Sequence, residues 1–331
     1  MGVKRGSGRA GAAVAVAACA SLVAGLTGCS SPTSGQRPES PSSTPTRAGF
    51  SPFTGLPARS GTPVLAVKID NVPPARPHTG LGAADIVYVE RVEAGQSRML
   101  AVFSSRQPTT VGPVRSVRES DMELLRQFGR PALAYSGSQS KLKPLIDAAP
   151  LFPLAPPDAP GAFFRGGDRP APHNLYLRPE RALAAAPRAD KARDIGFRFG
   201  AAPEGGRQLN EHTVRFPAAR FTFTWSDSDK RWRVAMDGTP ARTTDGGRMG
   251  AATVVVQHVE VRSSAFRDRS GSVSPYTETV GAGTALVLRD GRAHDARWSR
   301  PSPQSGTTFT TASGRPLPFA PGPVWVVLTG R

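Results

Sequence analysis

Cysteine is nearly absent from this 331-residue chain: there are two, Cys19 and Cys29. Both lie in the first thirty residues, so a disulfide scaffold, a thiolate metal centre or a cysteine nucleophile has no basis in the body of the chain. Histidine is also scarce, with five residues, and none stands at HExxH or another metal-ligand spacing. The sequence therefore predicts neither a metal site nor a cofactor. Beyond the N-terminal region no stretch reaches the ~18 consecutive apolar residues of a membrane-spanning helix. Acidic residues are outnumbered, 25 against 42 Lys and Arg, for a formal net charge of +17. The basic residues are scattered, without the stripe of cations and aromatics that would mark a nucleic-acid surface.

The N-terminus carries the clearest signal. Lys4, Arg5 and Arg9 precede an apolar run from Ala10 to Ala24. That run is about 15 residues long, short for a bilayer span but suited to a signal-peptide h-region. It ends in Leu26-Thr27-Gly28-Cys29, small residues before a cysteine thiol. A cut before Cys19 would leave too short an apolar run, so the expected event is cleavage before Cys29 and attachment of a diacylglycerol to its sulfur. Two acyl chains anchor stably where one would be marginal. The expected location is the extracytoplasmic face of the cell membrane, lipid-anchored, with membrane lipid as a partner through Cys29. Nucleic acid is then an unsuitable partner. A basic body beside a membrane predicts an anionic envelope polymer or an acidic partner protein, although an arginine-rich composition also follows from GC-rich coding.

Four segments follow: a signal at 1–28, a Ser/Pro-rich tether at 29–50, an α/β domain at 51–203 and a β-rich domain at 204–331. About 20 tether residues give a root-mean-square reach of roughly 25 Å. In the first domain VLAVKID (64–70), ADIVYVERV (84–92), RMLAVFS (98–104) and PALAYSG (131–137) read as strands. Ser116–Phe128, 138–149 and 179–187 read as helices, and the Pro/Gly-crowded 150–172 as a long ordered loop. After residue 200 helical periodicity nearly vanishes. FTFTW (221–225) and RWRVAM (231–236) flank a turn, and apolar runs at 253–261, 284–290, 294–299, 307–311 and 324–329 follow at regular spacing. The fold class is α+β: an N-terminal mixed sheet with helices and a mostly β C-terminal part.

In order and spacing, SPFTGLP (51–57), VLAVKIDNVPPARPHTGL (64–81), ADIVYVERVEAGQSRMLAVF (84–103), VGPVRSVR (111–118), AYSGSQ (134–139) and APHNLY (171–176) are distinctive. So are YTETVGAGTALVLRDGRAHDARW (276–298) and PGPVWVVL (321–328). With these the chain resembles the YerB-like lipoprotein family, domain of unknown function 3048, over about residues 50–331. It departs from the pattern by arginine enrichment and by the Pro-rich 150–160. The resemblance implies a two-domain body of mixed sheet and helix and supplies no activity.

Several constellations could carry chemistry. Asp70 and Asn71 end a buried strand, where polar groups line sites on α/β folds, or they organise the following Pro-rich turn. Glu90 and Glu93, facing Arg98 on the next strand, could form an acid/base pair or an ordinary cross-strand ion pair. Arg115, Ser116 and Arg118 enter a predicted helix and could bind an anion through guanidinium forks and free amides. The alternative is a Ser116 cap with arginines at the surface or paired to Glu90 and Asp70. Ser136 follows a strand but lacks the Gly-x-Ser-x-Gly spacing of a nucleophile elbow. His173 could be a general base or could hold its loop. The four tryptophans sit in strand contexts and read as core.

The function these features predict is a membrane-anchored binding or accessory protein for an anionic envelope component, through Arg115, Ser116, Arg118, Asp70 and Asn71. The alternative is a hydrolase or transferase on a wall polymer with Glu90, Glu93, Asp70 or His173 as acid or base. A third reading makes the β-rich part a protein-docking surface. Replacing the anchor is a direct check: Cys29→Ser is expected to abolish incorporation of labelled palmitate and move the chain from the membrane to the soluble fraction.

Overall fold

Runs in which almost every residue is apolar become strands covered on both faces. The computed structural model describes residues 49–58, 62–268 and 270–331; the signal segment and Cys29 lie outside the described residues. Strand β1 (Leu65–Ile69) is buried at every position, and β2 (Ile86–Arg91) and β3 (Ser97–Phe103) nearly so. They order as β2–β3–β1, antiparallel, with Leu65 opposite Phe103 and Ile86 opposite Val102. Two short strands extend this edge in parallel, β4 (Ala132–Ala134) beside β1 and β5 (Phe152–Leu154) beside β4.

The other half of the same sheet comes from the end of the chain. Thr253–Val259, Gly281–Arg289, Arg292–Arg300 and Thr308–Thr310 continue it in sequence order. The strand Val324–Gly330 joins the halves: it runs parallel to β2 on one side and to Thr253–Val259 on the other, Val324 standing opposite both Ile86 and Thr253. Among the described residues the sheet has 11 strands. The N-terminal part mixes strands with helices, and the C-terminal part is almost entirely strand, as the sequence pattern requires.

Side chains alternate across this sheet with period two. Val67, Val87, Ala101, Val254 and Trp325 face one core, and Ala66, Tyr88, Leu100, Val255 and Val326 face the other. The first core is covered by a second antiparallel sheet containing Glu211–Phe216, Ala219–Ser226 and Arg231–Met236. Phe221 and Phe223 of that sheet lie 6.3 and 6.0 Å from Trp325, ring centre to ring centre. The second core is covered by helix α1 (Glu119–Leu124), the 3-10 turn Leu125–Phe128 and the Phe197, Phe309 and Phe319 rings. Trp232, Trp298 and Trp325 are buried in the core, and Trp225, partly buried, packs against it 5.5 Å from Trp232.

Local differences from the sequence pattern have physical causes. The helix predicted from Ser116 begins at Glu119, because residue 118 is still extended (φ −124°, ψ 165°) and its amide donates to the Asp121 carboxylate at 2.7 Å. The cap is therefore an aspartate reaching back, not Ser116. The loop 150–172 contains β5 and Phe163–Arg165, which pairs with Leu175–Leu177. The hairpin Val261–Arg267 with Val273–Thr277 has no apolar run to announce it. It is held on α1 by polar contacts: Ser264 Oγ donates to Glu119 Oε2 (2.6 Å), the Thr277 amide to Ser120 Oγ (2.8 Å) and Tyr276 OH to Glu123 Oε2 (2.9 Å).

Trp325 touches both sheets from the middle of the joining strand. Trp325→Ala is expected to lower stability by about 3–5 kcal/mol, the range for truncating a buried aromatic, measured by urea unfolding.

Candidate functional site

The site begins with a charge in the core. Lys68 lies mid-strand in β1 with 0% of its side chain exposed. An ammonium removed from water must be paired. Its Nζ donates to Glu90 on β2 and, at 2.7 Å, to Asp121 Oδ1 on α1. Burial pushes the Glu90 carboxyl above its ordinary range, with Lys68 opposing and the nearby Asp121 adding to the rise. Glu90 stands opposite Arg98 in register, but its carboxylate is taken by Lys68.

Asp121 passes the order outward. Its Oδ2 fixes the amide of Arg118, whose guanidinium grips Glu93: Nε to Oε1 and Nη2 to Oε2, both 2.6 Å. Glu93 Oε1 also accepts from Ser274 Oγ on the 261–277 hairpin. Burial pushes the Glu93 carboxyl up, but the Arg118 fork and the Ser274 hydroxyl outweigh it and hold the carboxyl down at about 2. The tight turn that presents Glu93 has Ala94 in the left-handed region (φ 54°).

A second chain of contacts starts at Asp70. Its Oδ1 accepts the Asn71 amide (3.0 Å), and Oδ2 accepts from His173 Nδ1 (2.8 Å) and lies 3.1 Å from Arg115 Nε. The last contact has ion-pair distance without hydrogen-bond alignment. Asn71 Nδ2 donates to Ser97 Oγ (2.9 Å), and Arg76 donates to the Asn71 carbonyl (2.6 Å). His78 Nε2 contacts the Asp70 carbonyl at 2.8 Å, and burial pushes its imidazole down to about 4.

Between these two chains opens a cleft of about 760 Å³. Five arginines line it, Arg98, Arg115, Arg118, Arg165 and Arg267, with Ser116, Ser136 and Glu93. Of the residues singled out in the sequence, Arg115, Ser116, Arg118 and Glu93 come together here. Asp70, Asn71, Glu90 and His173 stand behind the wall and are not among its lining. Arg98 Nη1 donates to the Ser116 carbonyl (3.1 Å), and like Arg165 and Arg267 it has no acid within ion-pair distance among the described residues. It differs from them in that burial, with Arg118 and Arg115 nearby and Glu93 and Asp70 opposing, pushes its guanidinium down to about 10.

Lys68, Arg98, Arg165, Arg267 and Ser274 were not read as site residues from sequence. A lysine inside an otherwise apolar strand run is a signal that a buried acid must exist. Arg98 was legible only as a cross-strand neighbour of Glu90 and Glu93, and Arg165, Arg267 and Ser274 had no local signal, because the fold alone brings them to the cleft. Among the described residues no group of three His, Cys, Asp or Glu side chains could hold a metal ion.

Two family models match the chain: "Protein of unknown function (DUF3048) N-terminal domain" over residues 53–193, and the corresponding C-terminal domain over residues 212–326. The Bacillus subtilis (strain 168) protein named "Putative lipoprotein YerB" is 25% identical over 272 residues, covering 79% of this chain and 80% of that protein. The crystal structure of YerB protein from Bacillus subtilis superposes with a TM-score of 0.73 at 22% identity, over 85% of this chain and 96% of that one. That likeness shows the fold.

Glu93 gives the site a pH signature. Held at about 2 against an ordinary 4.5, it contributes stability in full above pH 4.5 and loses it as pH falls through about 2. Glu93→Gln is expected to cost on the order of 3 kcal/mol at neutral pH, with the gap to the parent protein closing in acid. Urea melts between pH 7 and pH 2 measure both.

Proposed function

The chain belongs to the DUF3048 family, and from that premise and the cleft we propose that it is a lipoprotein held outside the membrane through Cys29 whose arginine-lined cleft binds an anionic component of the cell envelope. The name of the Bacillus relative, the basic n-region and the apolar run ending at Gly28-Cys29 support the anchor. No helix among the described residues is long and apolar enough to cross a membrane. A tether of about 20 residues has a root-mean-square reach of roughly 25 Å, which would hold the folded body in the neighbourhood of the bilayer, where headgroups and envelope polymers supply negative charge.

One observation carries the binding reading. Arg98, partly buried, lines the cleft beside Arg115 and Arg118 with no ion-pair partner of its own, the Asp70 and Glu93 carboxylates being held by those two neighbours. That leaves a cation in excess of the acids around it, and an anion entering the cleft balances it. The acid/base alternative has less support, because its carboxylates are already engaged. Glu90 is tied to Lys68 behind the wall, Glu93 is clamped ionised by Arg118, and His173 faces Asp70 outside the lining.

The test is retention of envelope fragments by the full lipidated chain. The double variant Arg98→Gln, Arg115→Gln is expected to keep its melting temperature within a few degrees and to lose fragment binding by at least ~10-fold, about 1.4 kcal/mol. Unchanged binding overturns the proposal.

A further inference from the structure

We infer that the cleft is built for a phosphate group, held by Arg98 and Arg115 together with the hydroxyls of Ser116 and Ser136, and that Arg118, committed to Glu93, is not among its holders. The inference rests on the anion-binding reading above and names the chemistry of the anion.

The argument is an inventory of donors. A guanidinium carries five N–H groups. In Arg118, Nε and Nη2 hold Glu93, while Nη1 donates to the Val117 carbonyl (2.9 Å) and more weakly to that of Ser116 (3.4 Å). Four of its five N–H groups are thus committed within the protein, and its fork faces Glu93. Arg115 is different. Its Nε lies beside Asp70 without alignment, and its terminal nitrogens make no hydrogen bond among the described residues. Arg98 uses one N–H, on the Ser116 carbonyl. Arg165 and Arg267 each commit one nitrogen, to Asn174 and to the Gly271 carbonyl, and belong to the outer strand segments of the lining. The open donors nearest the serine pair are therefore those of Arg115, on the same segment as Ser116, and Arg98, bonded to the Ser116 carbonyl.

The serines are placed by the backbone. The Ser136 amide donates to the Arg115 carbonyl (3.0 Å), and the Val117 amide donates to the Gly137 carbonyl (3.2 Å). This short ladder lays residues 115–117 alongside 136–137 and brings Ser116 Oγ and Ser136 Oγ to 3.5 Å. Two hydroxyls at that spacing can each turn a proton toward an oxygen lying over them.

The same cleft shows what a carboxylate needs. Glu93 is satisfied by one arginine fork and one serine. Two further arginines and a hydroxyl pair exceed the needs of two coplanar oxygens. A tetrahedral phosphate offers more acceptor oxygens, in more directions, and so can take charge-assisted donors from both arginines together with the hydroxyl pair. A soluble phosphate ester and a phospholipid headgroup share this chemistry.

The experiment is calorimetric titration of the full chain, in a phosphate-free maltoside detergent, with glycerol phosphate and with acetate. Glycerol phosphate is expected to bind at least ~10-fold more tightly than acetate. Arg98→Gln and Ser136→Ala are each expected to weaken phosphate binding by several-fold to ~10-fold. Ser136→Ala removes only an oxygen from the cleft wall, so its unchanged thermal melt separates loss of contact from loss of fold. Competition by phosphatidylglycerol vesicles would assign the headgroup as the source, and its absence a soluble ester; either supports the inference. Equal or tighter binding of acetate, lost in Arg98→Gln, overturns the phosphate inference and leaves the anion-binding reading standing. Failure of both anions to bind overturns the inference; if fragment binding also survives the double arginine variant, the broader proposal falls with it.

Discussion

The structure turns on one ammonium group without water. Lys68 lies in the middle of a buried strand, and the cost of stranding its charge is met by Glu90 and Asp121, one from the neighbouring part of the sheet and one from the helix above it. Such groups contribute little net stability compared with a well-packed apolar substitute, but breaking one leaves an uncompensated charge. Their effect here is positional. Asp121 can reach Lys68 only if α1 sits at one height and one rotation over the sheet, and its second oxygen then sets the backbone of Arg118. From there the order runs through Arg118 to Glu93 and on to Ser274. A charge in the core thus dictates the shape of a surface cleft.

That cleft belongs to no single stretch of chain. Arg98 comes from β3, Arg115 and Ser116 from the extended segment before α1, Arg165 from the region between β5 and α-helical 179–185, and Arg267 from the hairpin at 261–277. The hairpin is clasped to α1 by serine, threonine and tyrosine contacts rather than by an apolar face. Polar clasps of this kind are individually modest. The wall they hold rests on these contacts together with the partly buried Val261 and Phe266 at the margin of the second core.

Much of the fold could be read from the residues. The strands at 65–69, 86–91, 97–103, 253–259 and 324–330 follow from apolar runs, because burial on both faces leaves a continuous pattern. The start of α1 is less legible: Ser116 reads as its cap, but the Arg118 amide is taken by Asp121, whose other oxygen is bound by Lys68 from a distant strand. Arg115, Ser116, Arg118 and Glu93 were legible as candidates from their motif, but not which arginine is open. Arg118 looked like a ligand group and is closed by Glu93, while Arg98 looked like the partner of Glu90 and is open because Lys68 took that acid. Pairings across 22 and 53 residues leave no trace in local pattern.

The joining strand Val324–Gly330 sets an order of assembly. Synthesis delivers the chain from its N-terminus, so β2 and Thr253–Val259 are both made before the strand that lies between them. Until it arrives, each carries an open edge of amides and carbonyls beside apolar faces, the form in which strands pair with the wrong partner. Closure must wait for contacts between the most widely separated parts of the molecule, which makes it slow by topology alone. Until Val324–Gly330 is in place, both edges stay open to misassociation, and the interval is set by how quickly a late segment finds two strands made long before it.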